Sequence, residues 1–356
     1  MQVATATRAR QLPLAGPRRP TLIERALDVI PLPYGWAALF IAAVLGPPGS
    51  LLVAYLETGS LQASLASYFH GYVPEHPWQQ ALVIALWSAF YAILFWTIRH
   101  ARHSVLRAEP ALASFLPESP AFDRAFGALS RLAPAIVIGL VIEAIFIGDY
   151  RVRILEAPGP YSAAYEALSG PPLYLLSGTA LWVTASATWG LYRLGHEPLR
   201  LRPFYEDKAM GLRSMAALSL SLSKGTFSLL FIMGLMFLIG PVRTEYVLTV
   251  IVLLLLGLAL FFLPLLGAHA RMKREKLALQ TYVKERWGMV LARNLDPASP
   301  VATDASALLT LEALERKVNS VHTWPFDLPI LSKLGVMALS ILLALLTQVI
   351  KNALNL

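Results

Sequence analysis

The sequence predicts an all-α membrane protein. It is read as a bundle of seven transmembrane helices, N terminus inside and C terminus outside, with a cytosolic helical hairpin before the last span. Three observations carry this. The 356-residue chain is 56% hydrophobic and only 15% charged, too apolar for one or two soluble domains. Seven stretches, 34–56, 78–98, 132–147, 173–194, 218–239, 246–268 and 326–350, reach or approach the roughly 17 to 25 apolar residues that a bilayer demands. Finally, Lys and Arg alternate from one connection to the next. Of the 30, roughly 26 fall in the N-terminal tail and in the connections 2–3, 4–5 and 6–7, against Arg151, Arg153, Arg243 and Lys351 on the other side. Basic residues stay on the cytosolic side, and omitting any one span would scramble the alternation.

The same placement explains the net charge of +8. The basic residues flank apolar spans, so the expected partner is the lipid bilayer of the cytoplasmic membrane and not nucleic acid. No Cys is present, which excludes disulfides, thiolate nucleophiles and Cys-ligated metals. No cofactor is expected.

Four regions follow: a basic tail and interfacial helix (1–33), the first six spans (34–268), a cytosolic helical segment (269–325), and the last span with a short outer tail (326–356). In the first, Arg8, Arg10, Arg18, Arg19 and Arg25 precede the first apolar run, so that run is expected to remain as an anchor. Thr21 and Glu24 have capping-box spacing, and Ile23, Ala26, Leu27 and Ile30 share one face of a short helix lying on the membrane surface.

The first span is interrupted by Gly46-Pro47-Pro48-Gly49. Two prolines remove two helix donors, so a kink or a break is expected about halfway across. A simple kink is one reading; a broken helix that offers carbonyls to an ion or substrate is the other. In the third span, Glu143 is a carboxylate at membrane depth, expensive unless it faces protein, water or a cation. It is expected either to reach the interface, pairing with Arg151 or Arg153, or to attract cations.

The fifth span opens with Ser219, Ser221, Ser223, Lys224, Gly225 and Thr226, polar groups suited to the inner end of a pathway. Beyond the sixth span, Met272, Leu279, Val283, Trp287 and Val290 form one apolar stripe, and Leu308, Leu311, Leu314, Val318 and Val321 a second. The loop signal Asn294-Leu295-Asp296-Pro297 separates them. These two helices are expected to pack on each other, on the 4–5 connection or on a second subunit.

Trp324-Pro325-Phe326-Asp327 starts the final span. Asp327 can cap the helix, and Pro329 sits in its first turn, where a missing N–H costs little. This stretch is read as a well-built helix start or as a coupling elbow, through which the cytosolic helices tilt the last span. Along that span Lys333, Met337, Ser340, Ala344, Thr347 and Lys351 share one arc, with Gln348 at its edge. The stripe suits a pore lining or tight packing in lipid.

Enzyme signatures such as H-E-x-x-H, G-x-S-x-G and the Walker lysine loop are absent, and no enzymatic activity is expected. His100 and His103 have H-x-x-H spacing but read as interfacial histidines. His70, Glu75 and His76 form a weak metal- or proton-sensing group.

At Asp207-Lys208-Ala209-Met210-Gly211-Leu212, and again at Trp324-Pro325-Phe326-Asp327, the chain resembles a group of prokaryotic polytopic membrane proteins sharing D-x-A-x-G-L and W-P-F-D elements. The resemblance covers about residues 200–350 and implies no particular activity. In layout alone the chain is similar to insect gustatory and odorant receptors, seven-span cation channels whose last helix lines the pore. Their C-terminal motif would place Thr and Tyr at Ile341 and Leu342, and only Gln348 agrees. The expectation is an oligomeric cation channel or chemoreceptor-like protein, with Glu143, Ser340, Thr347 and Gln348 along the pathway. A secondary transporter using the broken first span and Glu143 is the first alternative, and a non-conducting sensor or scaffold the second.

Overall fold

A computed structural model describes residues 16–69, 76–116, 120–207, 209–239, 244–295 and 305–353. His70, Glu75, Arg243, the tail arginines Arg8 and Arg10, and the side chains of Gln348 and Lys351 lie outside the described residues. Of the described residues 84% are helical, and none is in a strand. Among the described residues, four helices are long and apolar enough to cross a membrane: Pro77–Ala113, Arg213–Met236, Val250–Ala292 and Leu328–Thr347. A fifth crossing is added if the pair Tyr34–Leu45 and Pro47–Thr58, bent by 42°, counts as one. The protein is therefore a helical membrane protein with four to five such spans.

The short helix α1 (Leu22–Asp28) carries the predicted capping box, with the Glu24 amide donating to Thr21 Oγ1 at 3.3 Å and the Thr21 amide to Glu24 Oε2 at 2.8 Å. It does more than lie on a surface. Glu24 is only 3% exposed, and Arg102 Nε sits 2.9 Å from its carboxylate, so α1 is fastened to the bundle by a buried ion pair.

The stretch predicted as the first span forms α2 (Tyr34–Leu45) and α3 (Pro47–Thr58). After α4 (Leu61–Tyr68) comes α5 (Pro77–Ala113), about 55 Å long at 1.5 Å per residue. Next follow α6 (Pro120–Phe126), α7 (Leu132–Leu155) and α8 (Pro160–His196). The apolar part of α7, Leu132–Gly148, is shorter than the other spans.

Helix α8 is the hub. It packs on α3, α5, α6 and α7 and reaches the later helices at its C-terminal end. Its interior face is built from small residues, Gly178, Thr179, Ala180, Thr184, Ser186, Ala187, Thr188 and Gly190, all buried. A Cβ at Gly178 would lie 2.4 Å from the Gly139 amide nitrogen and 2.6 Å from the Ala135 carbonyl, so α7 and α8 cross backbone against backbone. Small residues permit that approach and its dispersion gain. They also lower the hydropathy of α8, because a helix ringed by other helices has little lipid to match.

The second half comprises α9 (Arg213–Ile239), α10 (Thr244–Phe262), a short 3-10 turn (Leu263–Leu265), α11 (Leu266–Leu295), α12 (Ala305–Asn319) and α13 (Leu328–Ala353). In the polar run at the start of α9, Ser219 and Ser223 are buried, at 0% and 1% exposure, while Lys224 is exposed. Ser219 Oγ donates to the Phe261 carbonyl at 2.7 Å and Ser223 Oγ to the Ser219 carbonyl at 2.9 Å. Ser221 Oγ lies 2.8 Å from Ser104 Oγ on α5. The Ser219 and Ser221 hydroxyls join α9 to other elements, as interhelical hydrogen bonds do in lipid.

The predicted cytosolic helices pack on each other. Val283 and Val318 are buried, Lys276 Nζ donates to the Asn319 and Val321 carbonyls at 3.0 and 2.7 Å, and Trp287 Nε1 donates to Glu315 at 3.0 Å. Beyond the 3-10 turn α11 continues from α10, running about 45 Å.

Candidate coupling junction

Elements distant in sequence converge where the hairpin meets the last span. Asp207 accepts the Ala209 amide on Oδ1 at 2.9 Å and the Gly211 amide on Oδ2 at 2.8 Å. That carboxylate holds a turn in which Met210 and Gly211 have φ of 52° and 86°. Glycine is required at 211 twice over. The φ favours it, and a Cβ there would stand 2.4 Å from Cε1 of Phe115. Leu212 plugs the core at 0% exposure, and Arg213 then opens α9. Asp207, Gly211 and Leu212 of the D-x-A-x-G-L pattern thus each have a physical task.

Arg213 Nη2 lies 2.8 Å from Asp327 Oδ2, so the two sequence elements behind the resemblance touch. Asp327 also caps α13 as predicted, accepting the Ile330 amide on Oδ1 at 3.3 Å. One carboxylate therefore serves a helix N-terminus and an ion pair. Just before it, Trp324 stacks on the His269 ring at 4.0 Å and 20°, and on Phe326 at 5.2 Å. Phe326 and Trp324 in turn meet Phe261 and Phe262 at about 6 Å. His269 Nδ1 is 2.7 Å from the Thr323 carbonyl. A carbonyl only accepts, so Nδ1 is the donor in this contact.

The junction is closed from the other side by the end of α8. A Cβ at Gly267 would meet the His196 ring at 2.7 Å and the Gly195 carbonyl carbon at 2.9 Å. Arg271 Nη1 donates to the Glu197 carbonyl at 3.0 Å. The hub, the root of α9, the α10–α11 bend and the start of α13 thus share one knot. Sequence reasoning identified Trp324 to Asp327 but missed Arg213 and His269. The available signal was adjacency: Arg213 directly follows the D-x-A-x-G-L element.

The other anticipated residues lie elsewhere. Gly46, Pro47, Pro48 and Gly49 do interrupt the helix, and the carbonyl that Pro48 leaves without a donor is taken. An amide at position 48 would have donated to the Val44 carbonyl; proline has none, and Tyr165 Oη on α8 donates there instead at 2.6 Å, with the Gly46 carbonyl at 3.1 Å. Beside this seal, Ser50, Ser64, Tyr68, Arg153, Ser162 and Glu166 line a cavity of about 20 Å³, the size of one water. Ser50 Oγ donates to Glu166 at 2.7 Å, and burial pushes the Tyr68 phenol above its ordinary range. Arg153 faces this cluster. Glu143 is half-buried on α7 and makes no hydrogen bond or ion pair among the described residues.

On α13, Ile330, Leu334, Ile341 and Leu345 are buried and α9 is the helix it packs against most. Ser340 and Thr347 lie on the flank of that face. Their hydroxyls donate back to the Met337 and Leu343 carbonyls at 2.9 and 2.8 Å. Lys333 and Thr347 are exposed, and so are Val336, Leu339 and Leu343. No group of three or more metal-ligating side chains occurs among the described residues; His100 instead stacks on Trp96 at 4.3 Å and approaches the Ser221 carbonyl at 3.1 Å. Comparison with protein-family models, curated proteins and solved structures finds no match.

Proposed function

We propose that the protein is a seven-pass, N-in, C-out protein of the cytoplasmic membrane in which the α11–α12 hairpin sets the tilt of α13, and that copies of α13 line a cation pathway in a homo-oligomer. The observation that carries this reading is the mounting of α13. It is clamped at its root by Arg213, Trp324 and the His269 stack, yet along its length it is braced chiefly by α9. A helix at the protomer's edge, driven from one end, is placed to meet its counterparts in neighbouring copies. Seven crossings follow when α7 and α8 join the five apolar spans. The small-residue crossing at Gly139 and Gly178 supports counting both, because such packing belongs to helices associating within lipid.

A second reading, a non-conducting sensor, is favoured by Ser340 and Thr347, whose hydroxyls are satisfied by their own helix. Mass measurement of the protein released from liposomes, followed by cation flux, separates the two. A discrete symmetric oligomer with flux that falls in Ser340→Leu and Thr347→Leu supports the pathway. A monomer without flux removes it and leaves the sensor. Topology is tested independently by maleimide labelling of single Cys residues, which the Cys-free sequence makes clean.

A further inference from the structure

A groove between α2 and α5 changes character along its length. Its lining on α5 is Ala92, Trp96, Arg99, His100, His103 and Arg107, one helical face about 22 Å long. The opposite wall comes from Tyr34, Gly35, Ala38 and Leu39 of α2, and the groove encloses about 470 Å³. At one end Leu39 and Trp96 are 50% and 42% exposed and the lining is apolar. At the other end four basic side chains stand within two turns of helix.

Those charges are uncompensated. Neither Arg99 nor Arg107 forms an ion pair among the described residues, although their neighbours do: Arg102 holds Glu24 and Arg18 holds Glu109. Glu24 is likewise occupied, by Arg102 and the Thr21 cap. Arg99 and Arg107 stand two turns apart on the groove-lining face of α5, so an anion lodged between them can meet both guanidinium groups. The walls are also fixed in place. Arg99 lies over the Tyr34 ring at 4.4 Å, and Tyr34 Oη donates to the Phe95 carbonyl at 2.8 Å. Meanwhile Gly35 keeps the mouth open, since a Cβ there would meet nothing within 4 Å.

We propose that this groove is a phosphate-group site, in which Arg99, His103 and Arg107 hold the phosphate and the Trp96–Leu39 end accepts an apolar tail. Guanidinium groups bind phosphate oxygens through charge-assisted hydrogen bonds, and the apolar end fits an anionic phospholipid in particular. The same phosphate chemistry also occurs in a soluble phosphate compound, and the test distinguishes the two sources.

The full-length protein is purified in neutral detergent and exchanged into mixed vesicles of phosphatidylglycerol and phosphatidylcholine, and retained lipid is counted by native mass spectrometry. Binding of inorganic phosphate to the detergent-purified protein is measured in parallel. Wild type is expected to retain phosphatidylglycerol preferentially. The double variant R99Q/R107Q should lose that preference by about tenfold or more, the scale of one lost charge-assisted contact. Gly35→Phe, which keeps every charge but fills the groove, should lose it as well. K273Q/K284Q, equal in charge change but on the exposed face of α11, should retain it. Saturable phosphate binding that Arg99 and Arg107 control, with no lipid preference, would keep the site and assign it to a soluble phosphate compound. Equal retention of both lipids together with no phosphate binding would overturn the proposal. So would an equal loss in K273Q/K284Q, which would reduce the effect to net charge.

Discussion

Two interruptions of helical structure can be set side by side: the Gly46–Gly49 break in the first span, and the junction at which α10, α11 and α13 meet. Both contain proline and both free backbone carbonyls, yet they are finished differently. At the break a neutral hydroxyl, Tyr165 Oη, replaces the donor that Pro48 lacks, and the gap between backbones is closed to anything larger than glycine at position 49. At the junction Ser219 seals the Phe261 carbonyl in the same manner. Added to that seal is a link of another kind, an ion pair with side-chain exposures of 64% for Arg213 and 27% for Asp327. A neutral seal on a carbonyl in an apolar span has no water to replace its donor and is costly to open. A half-solvated ion pair is cheap to remake because water replaces either partner. The break is thus fitted for holding shape and the junction for changing it.

The largest effect is expected from closing the gap at the break. In Gly49→Ala the added methyl would lie 2.2 Å from the Val44 carbonyl and 2.6 Å from Tyr165 Oη. Backbone has to move, costing about 3 kcal/mol or somewhat more, read as a lowered melting temperature in detergent. Tyr165→Phe leaves the packing and removes only the donor, so the Val44 carbonyl is stranded at about 1 to 3 kcal/mol. If Tyr165→Phe melted with wild type, the hydroxyl would not be the seal.

At the junction, Gly211→Ala should cost a similar amount, about 1 to 3 kcal/mol, because the left-handed backbone and the Phe115 ring both oppose a methyl. Its melting temperature is the measurement. A loss with full recovery in Gly211→Ala/Phe115→Ala would assign the cost to the ring, and a persisting loss to the backbone angle.

Much of this contrast was legible in the sequence, for stated reasons. Prolines at 47 and 48 announce an interruption wherever they occur in a helix, and the Thr21–Glu24 spacing announces a cap. The apolar stripes of 269–293 and 305–321 imply that each helix needs a partner. None of these features names the partner. Tyr165 is one tyrosine among 13, and only the packing of α2 and α3 on α8 brings it to Val44. Glu143 attracted notice as a carboxylate in an apolar run, whereas Glu166 and Arg153, facing one small polar cavity, lie in segments where charge is unremarkable. Helix α8 shows the same limit from the other direction. Its glycines, serines and threonines depress hydropathy, and their value appears only once neighbours surround them.

The smallest effect on stability, and the sharpest on the comparison, is expected from Asp327→Asn. An ion pair this exposed contributes about 1 kcal/mol or less, and asparagine retains an oxygen able to cap α13. The melting temperature should therefore shift less than in Tyr165→Phe. Coupling is a separate quantity. With spin labels on Cys at Leu277 of α11 and Leu339 of α13, both exposed, wild type should give one narrow distance distribution. Asp327→Asn should broaden it by freeing the root of α13 from Arg213, while Tyr165→Phe, though less stable, should leave it narrow. Broadening in both variants would mean that the two interruptions are one mechanical unit. Broadening in neither would mean that the His269–Trp324 stack holds the joint without the ion pair.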